Sequence, residues 1–159
     1  MPTLLSPRPA AAAWLGYGGL LPFLASALLY WLEPNHRSLW LDLLLAYGAV
    51  ILSFVGALHW GFAMVHPDTT GHGVSGMYLW SVIPALVGWV AVLFTPEVGA
   101  ALLLAGFLTH YRQDLRLARL LPLPAWYLPL RLQLTVVASL CLGSVYFLPQ
   151  VLSKTVLNV

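Results

Sequence analysis

The sequence predicts an all-α polytopic membrane helix bundle of about five transmembrane helices. Three observations carry that expectation. Only 8% of the 159 residues are charged while 60% are hydrophobic, whereas a soluble domain carries about 25% charged residues. The mean hydropathy of +0.86 matches that imbalance. Five long apolar runs follow one another between short polar stretches. In a bilayer each such run must satisfy its own backbone, which makes it a helix.

The first span covers Ala10–Leu32 and is stopped by Glu33, Pro34, Asn35, His36 and Arg37. The second covers about 40–65 and ends in the polar loop 66–75, which holds Pro67, Gly71 and Gly73. The third, 77–94, reaches about 27 Å at 1.5 Å per residue, just enough to cross. Thr95, Pro96 and Glu97 then turn the chain.

The fourth apolar run, 98–110, reaches only about 20 Å and must borrow length from the residues after it. Continued to residue 121, it sets Arg112, Arg116 and Arg119 on one stripe at i, i+4 and i+7. This is a span that emerges among lipid headgroups as an amphipathic extension. Pro122 and Pro124 end it, and the fifth span, 125–148, opens on the interfacial aromatics Trp126 and Tyr127. The whole chain, 1–159, reads as one membrane domain.

Loops alternate sides, so the amino terminus, second loop and fourth loop share a face carrying Arg8, Arg112, Arg116 and Arg119, with Arg131 just inside the fifth span. The opposite face carries Arg37 and Lys154. Basic residues favour the cytoplasm, which sets the amino terminus inside and the carboxyl terminus outside. Ala25-Ser26-Ala27 resembles a signal-peptidase site, but apolar sequence runs on to Leu32, which favours an uncleaved helix. A bacterial inner (cell) membrane is the simplest home.

A net charge of +2 is too small for a phosphate-tracking surface, so nucleic acid is not an expected partner. The single cysteine, Cys141, lies in an apolar run and rules out an intrachain disulfide.

The second span carries a ridge of small residues. Ala49, Ser53, Ala57 and Gly61 recur every fourth position, and Gly56 shares their face. Such a ridge admits a close neighbour, either a helix of another copy or partner or one of the same bundle.

His59, His66, His72 and His110 fall on the expected cytoplasmic side near Asp68 and Asp114. Histidine binds metals and haem, but neither a His-Glu-x-x-His nor a Cys-His signature accompanies these. No catalytic residue, metal or cofactor is therefore expected. Ionisable residues within spans are the default functional candidates. His59, His110, Asp114 and Arg131 are the ligand or ion-pair candidates. Arg131 has two options, snorkelling to the interface or pairing with Asp114. Asp42 can similarly pair with Arg37. Pro22, Pro84 and Pro129 mark places where backbone carbonyls are freed. Most tryptophans lie near span ends, and Trp89 is expected to pack in the interior.

Three blocks carry a resemblance. They are WLGYGGLLPF at 14–23, YGAVILSFVGALHWG at 47–61, and LPAWYL at 123–128 with Leu130 and Arg131. Together they resemble an uncharacterised bacterial membrane-protein family, a domain of unknown function, to which the mitochondrial transmembrane protein 69 of animals is similar. The resemblance covers about 12–142 and implies a five-helix inner-membrane protein of bacterial or mitochondrial type. It supplies no catalytic or binding residue.

The functional expectation is a non-enzymatic membrane protein bathed in the lipid bilayer, acting as a homo-oligomer or as an accessory subunit of an inner-membrane complex. Two alternatives stand beside it. One is a haem, quinone or metal binding protein using His59 and His110; the other is a small transporter along Arg131 and the Pro84 or Pro129 breaks. An odd number of spans with no visible inverted repeat weighs against transport.

Overall fold

A computed structural model of the chain describes residues 9–66 and 72–157, and the side chains of all these except 72–73 and 147–157. Among the described residues the regular structure is entirely helical: α1 (Ala10–Gly18), α2 (Leu21–Leu32), a 3-10 turn (Pro34–His36), α3 (Arg37–Val65), α4 (His72–Ala91), α5 (Pro96–Leu120) and α6 (Tyr127–Leu157). These helices make five passes, because α1 and α2 form one pass interrupted at Gly19 and Leu20. By length and composition four passes are apolar enough to cross a membrane. The exception is α5, in which five of 25 residues are charged.

The interruption in the first pass follows from Pro22, which has no N–H and so suits the first turn of a new helix. The Tyr47 hydroxyl donates to the Gly19 carbonyl at 2.8 Å, which satisfies a backbone acceptor at the break. Pro129 likewise occupies the first turn of α6, so of these three prolines Pro84 alone lies in a helix interior. Of the three expected backbone breaks, two are thus helix starts.

The turn between α2 and α3 is tied by Trp40 Nε1 donating to Glu33 at 3.0 Å. Arg37 donates its Nε to the Tyr30 carbonyl and lies over the Tyr30 and Trp31 rings. It forms no ion pair with the exposed Asp42, contrary to expectation. A backbone carbonyl and two ring faces lie within reach of the guanidinium already, so the pair is not needed.

α3 is the central element, packing on α4, α2, α5 and α6. Its small residues admit α4 closely. A β-carbon on Gly56 would sit 2.9 Å from two carbons of Pro84, and one on Gly88 would sit 2.9 Å from the Ala49 carbonyl. The ridge containing Ala49 and Gly56 is therefore an intramolecular seam. Ala57 and Gly61 lie on its exposed margin, and a β-carbon on Gly61 meets nothing within 4 Å. Ser53 donates back to the Ala49 carbonyl at 2.7 Å, so it offers its hydroxyl to its own helix.

The main core is built on Phe23, Leu44, Leu52, Leu103, Phe107 and Leu142. A smaller cluster, Ala63, Met77, Leu117 and Leu121, closes the end where α3 and α5 finish and α4 and α6 begin. Large apolar side chains cover the outside, including Val50, Phe54, Leu79 and Leu86, as a lipid-facing surface requires. Trp89 is 61% exposed, not interior. It stands two residues from the end of α4, where an interfacial ring belongs.

α5 runs unbroken from Pro96 at its first turn, with Glu97 near the positive end of the helix dipole and Arg119 near the negative end. Arg112, Arg116 and Arg119 are all exposed. Opposite them His110, Asp114 and Leu117 are buried. Leu120, beside the arginine stripe, is 57% exposed.

A valine at position 56 is expected to lower the thermal unfolding midpoint in detergent, because overpacking costs about 1–3 kcal/mol. Gly61→Val, with open space at its β-carbon, is expected to leave the midpoint unchanged. Circular dichroism melts of the two variants check this, and equal behaviour contradicts the seam.

Candidate functional site

Four helices deliver polar side chains to one place between the main core and the small end cluster. α3 contributes His59, α4 Trp80, α5 His110 and Asp114, and α6 Tyr127 and Arg131. The local reason is helical spacing: His110 and Asp114, and Tyr127 and Arg131, are each four residues apart and share a face.

Asp114 is the hub and has no exposed surface. Arg131 Nε donates to its Oδ2 at 2.8 Å, and the Tyr127 hydroxyl donates to Oδ1 at 3.2 Å. The two imidazoles approach the same oxygen, His110 Nε2 at 3.8 Å and His59 Nε2 at 3.9 Å. The rings of His59 and His110 meet edge to face with centroids 4.9 Å apart. Arg131 is only 6% exposed, so it pairs with Asp114 and does not snorkel.

Trp80 fixes the orientation of His110. Its Nε1 donates to His110 Nδ1 at 3.1 Å, with the two rings nearly parallel at 11°. Nδ1 is therefore the acceptor, and the ring proton sits on Nε2, toward Asp114.

His59, His110 and Asp114 each offer a ligand atom within 4.8 Å of the others, the spacing a metal ion needs. The hydrogen bonding does not suit one. A metal-binding imidazole presents a lone pair at one nitrogen and donates from the other. Here the other nitrogen of His110 faces a donor, and both Asp114 oxygens are already bonded. Nor do the two histidines leave space between them for a haem plane, since their rings are in contact.

The remaining histidines take other partners. His66 Nδ1 lies 3.1 Å from the Phe62 carbonyl, and the exposed His36 stands 3.6 Å from Glu33. Asp68 and the His72 side chain lie outside the described residues.

Beside the cluster lies a cleft of about 520 Å³ between the first pass, α3 and α6. Leu15, Phe23, Phe54 and Leu58 are among its walls, and Trp126, Tyr127, Arg131 and Thr135 also line it. Three of its lining residues each carry a buried polar atom with no hydrogen-bond partner: Arg131 Nη2, Trp126 Nε1 and Thr135 Oγ1. Arg131 thus belongs to both features: its Nε holds Asp114, and the residue is part of the cleft wall.

Trp80, Tyr127 and Thr135 are site residues that sequence reasoning missed, having treated the two aromatics as interfacial. A signal was available. Tyr127, Arg131, Thr135 and Ser139 recur every fourth residue, a polar stripe along an otherwise apolar span.

Such a fold and site define a multi-pass membrane protein with a buried ionic cluster. Residues 8–147 match the model of a family described as protein of unknown function (DUF3429), and the chain belongs to that family. It is 37% identical over 153 residues to "Transmembrane protein 69" of Xenopus tropicalis, covering 89% of this chain and 58% of that protein. The match to "Transmembrane protein 69" of Mus musculus is 31% over 140 residues, covering 86% and 55%. The chain spans little more than half the length of these curated relatives. No solved structure matches.

Arg131→Met leaves the Asp114 carboxylate buried without its cation and is expected to cost about 3–5 kcal/mol. Adding Asp114→Leu is expected to recover part of that loss. Thermal midpoints in nanodiscs read both; a single variant as stable as wild type, or a double variant less stable than the single, contradicts the ion pair.

Proposed function

We propose that the protein is a non-enzymatic accessory protein of a bacterial inner membrane that holds a lipid-like molecule in its cleft, with its amino terminus in the cytoplasm. One observation carries this: an apolar cleft within the usual 300–1,000 Å³ range of small-molecule sites is lined in part by residues whose buried polar atoms the fold leaves without partners. Buried polar groups cost free energy unless they are bonded, and a ligand with an acceptor at one end meets that need.

Several features support the non-enzymatic part. Asp114, the obvious general base, is held by Arg131 and Tyr127. Cys141, the obvious nucleophile, is buried in the main core. The accessory role rests on the ligand being held within the bilayer, where a larger complex has access to it. Association with other copies gains nothing from the Ala49–Gly56 part of the ridge, which α4 covers. Support for the orientation comes from exposed Arg112, Arg116 and Arg119, which suit the anionic cytoplasmic leaflet.

Protein extracted with its surrounding lipid and washed in detergent is expected to retain an amphiphile near one mole per mole, identified by native mass spectrometry. Leu58→Trp, which fills the cleft, is expected to lose it. Recovery of nothing beyond bulk phospholipid from the wild type contradicts the proposal. For orientation, alkaline phosphatase fused after Val159 is expected to be active and a fusion in the α5–α6 loop inactive; the reverse pattern inverts the topology.

A further inference from the structure

We propose that the polar end of the cleft is a subsite for a neutral carbonyl oxygen on a planar ring, so that the molecule held is of the quinone class and not a fatty acid or other anionic lipid. The proposal rests on the cleft holding a lipid-like molecule and specifies its head.

Hydrogen-bonding chemistry comes first. Arg131 Nη2 and Trp126 Nε1 are N–H donors with no accepting capacity, and Thr135 Oγ1 can donate as well. Arg131 and Thr135 are 6% and 4% exposed, so both are built into the protein and are not surface groups that happen to point inward. Donors of this kind select an acceptor, either a carbonyl oxygen or an anionic oxygen.

Charge decides between those two. The guanidinium of Arg131 is already balanced by the carboxylate of Asp114 at 2.8 Å. Three titratable neighbours face the pair: His110 accepts from Trp80 at one nitrogen and keeps a single ring proton, Tyr127 donates its hydroxyl to the same carboxylate, and His59 stands 3.9 Å from that carboxylate without a hydrogen bond to it. A carboxylate or phosphate head therefore adds an uncompensated negative charge to a site shielded from water, which is expensive. A carbonyl takes the same hydrogen bonds and adds no net charge.

Shape points the same way. Phe62, Phe107, Trp126 and Tyr127 line the cleft, and Phe62 and Tyr127 already meet edge to face at 5.7 Å. Aromatic walls favour a planar ring over a flexible ester head. The apolar remainder of the cleft, along Leu15, Phe54 and Leu58, suits the tail.

The test is saturable binding to the full chain in phosphatidylcholine nanodiscs, measured above empty nanodiscs, with decylubiquinone and oleate as probes. Decylubiquinone is expected to bind at least tenfold more tightly than oleate. Thr135→Val removes one donor while keeping shape, Trp126→Phe removes one donor together with part of its ring, and each is expected to weaken decylubiquinone by at least about fivefold, the equivalent of one hydrogen bond. Neither variant touches the Asp114–Arg131 pair, and their unfolding midpoints in the absence of probe serve as the check on folding. Oleate binding as tightly as decylubiquinone overturns the charge argument and leaves the cleft as a lipid site. Decylubiquinone binding that neither variant weakens overturns the subsite. If neither probe binds saturably and no amphiphile is recovered from the native membrane, the lipid-holding function itself falls.

Discussion

A carboxylate with no exposed surface, inside a bundle whose outside faces hydrocarbon, persists only if other helices bring donors to it. For Asp114 those donors come from α6, as the Arg131 guanidinium and the Tyr127 hydroxyl. This pairing explains why the least apolar pass can stay in the membrane. The charges of α5 divide into arginines on an exposed stripe and one acid that α6 meets internally. The register between α5 and α6 is fixed by the same contact, because a one-residue slide of either helix rotates its partner away by about 100°.

In the proposed reading the pair also sets what the neighbouring cleft can accept. An arginine with a free charge beside an apolar cleft attracts anionic lipids, whereas an arginine neutralised from behind offers only its N–H groups. The same side chain thus locks two helices and forms part of the wall of the cleft between the first pass and α6. His110 is oriented from the other side by Trp80, which ties α4 into the arrangement and directs the imidazole proton toward the acid. The cluster is best understood as a stabilised ionic core with one face turned to an apolar pocket.

Much of this is legible in the amino-acid sequence. Apolar runs and their polar interruptions locate the five passes, because the bilayer forces long apolar segments to be helices. The arginine stripe of α5 follows from i, i+4, i+7 spacing, and Asp114 is marked as a partner for Arg131 because buried charges need one. The break before α2 is visible as Gly18-Gly19 with Pro22, although proline alone does not say whether a helix bends or restarts. The features that stay hidden have a common cause. Trp80, Tyr127 and Trp89 are amphipathic aromatics near span ends, and composition cannot separate a ring that faces lipid from one that turns inward to a polar partner.

The sequence by itself determined a multi-pass helical membrane protein, the positions of its passes, and the small set of ionisable residues that such a protein must account for. Those properties depend on composition and on spacing along one helix, which are local. Only the tertiary structure decided that His59, Trp80, His110, Asp114, Tyr127 and Arg131 meet, that the α3 seam belongs to α4, and that an apolar cleft opens beside the charge pair. Each of those facts depends on the rotation and depth of one helix against another. Side chains from several passes set them jointly, so no single segment contains the answer.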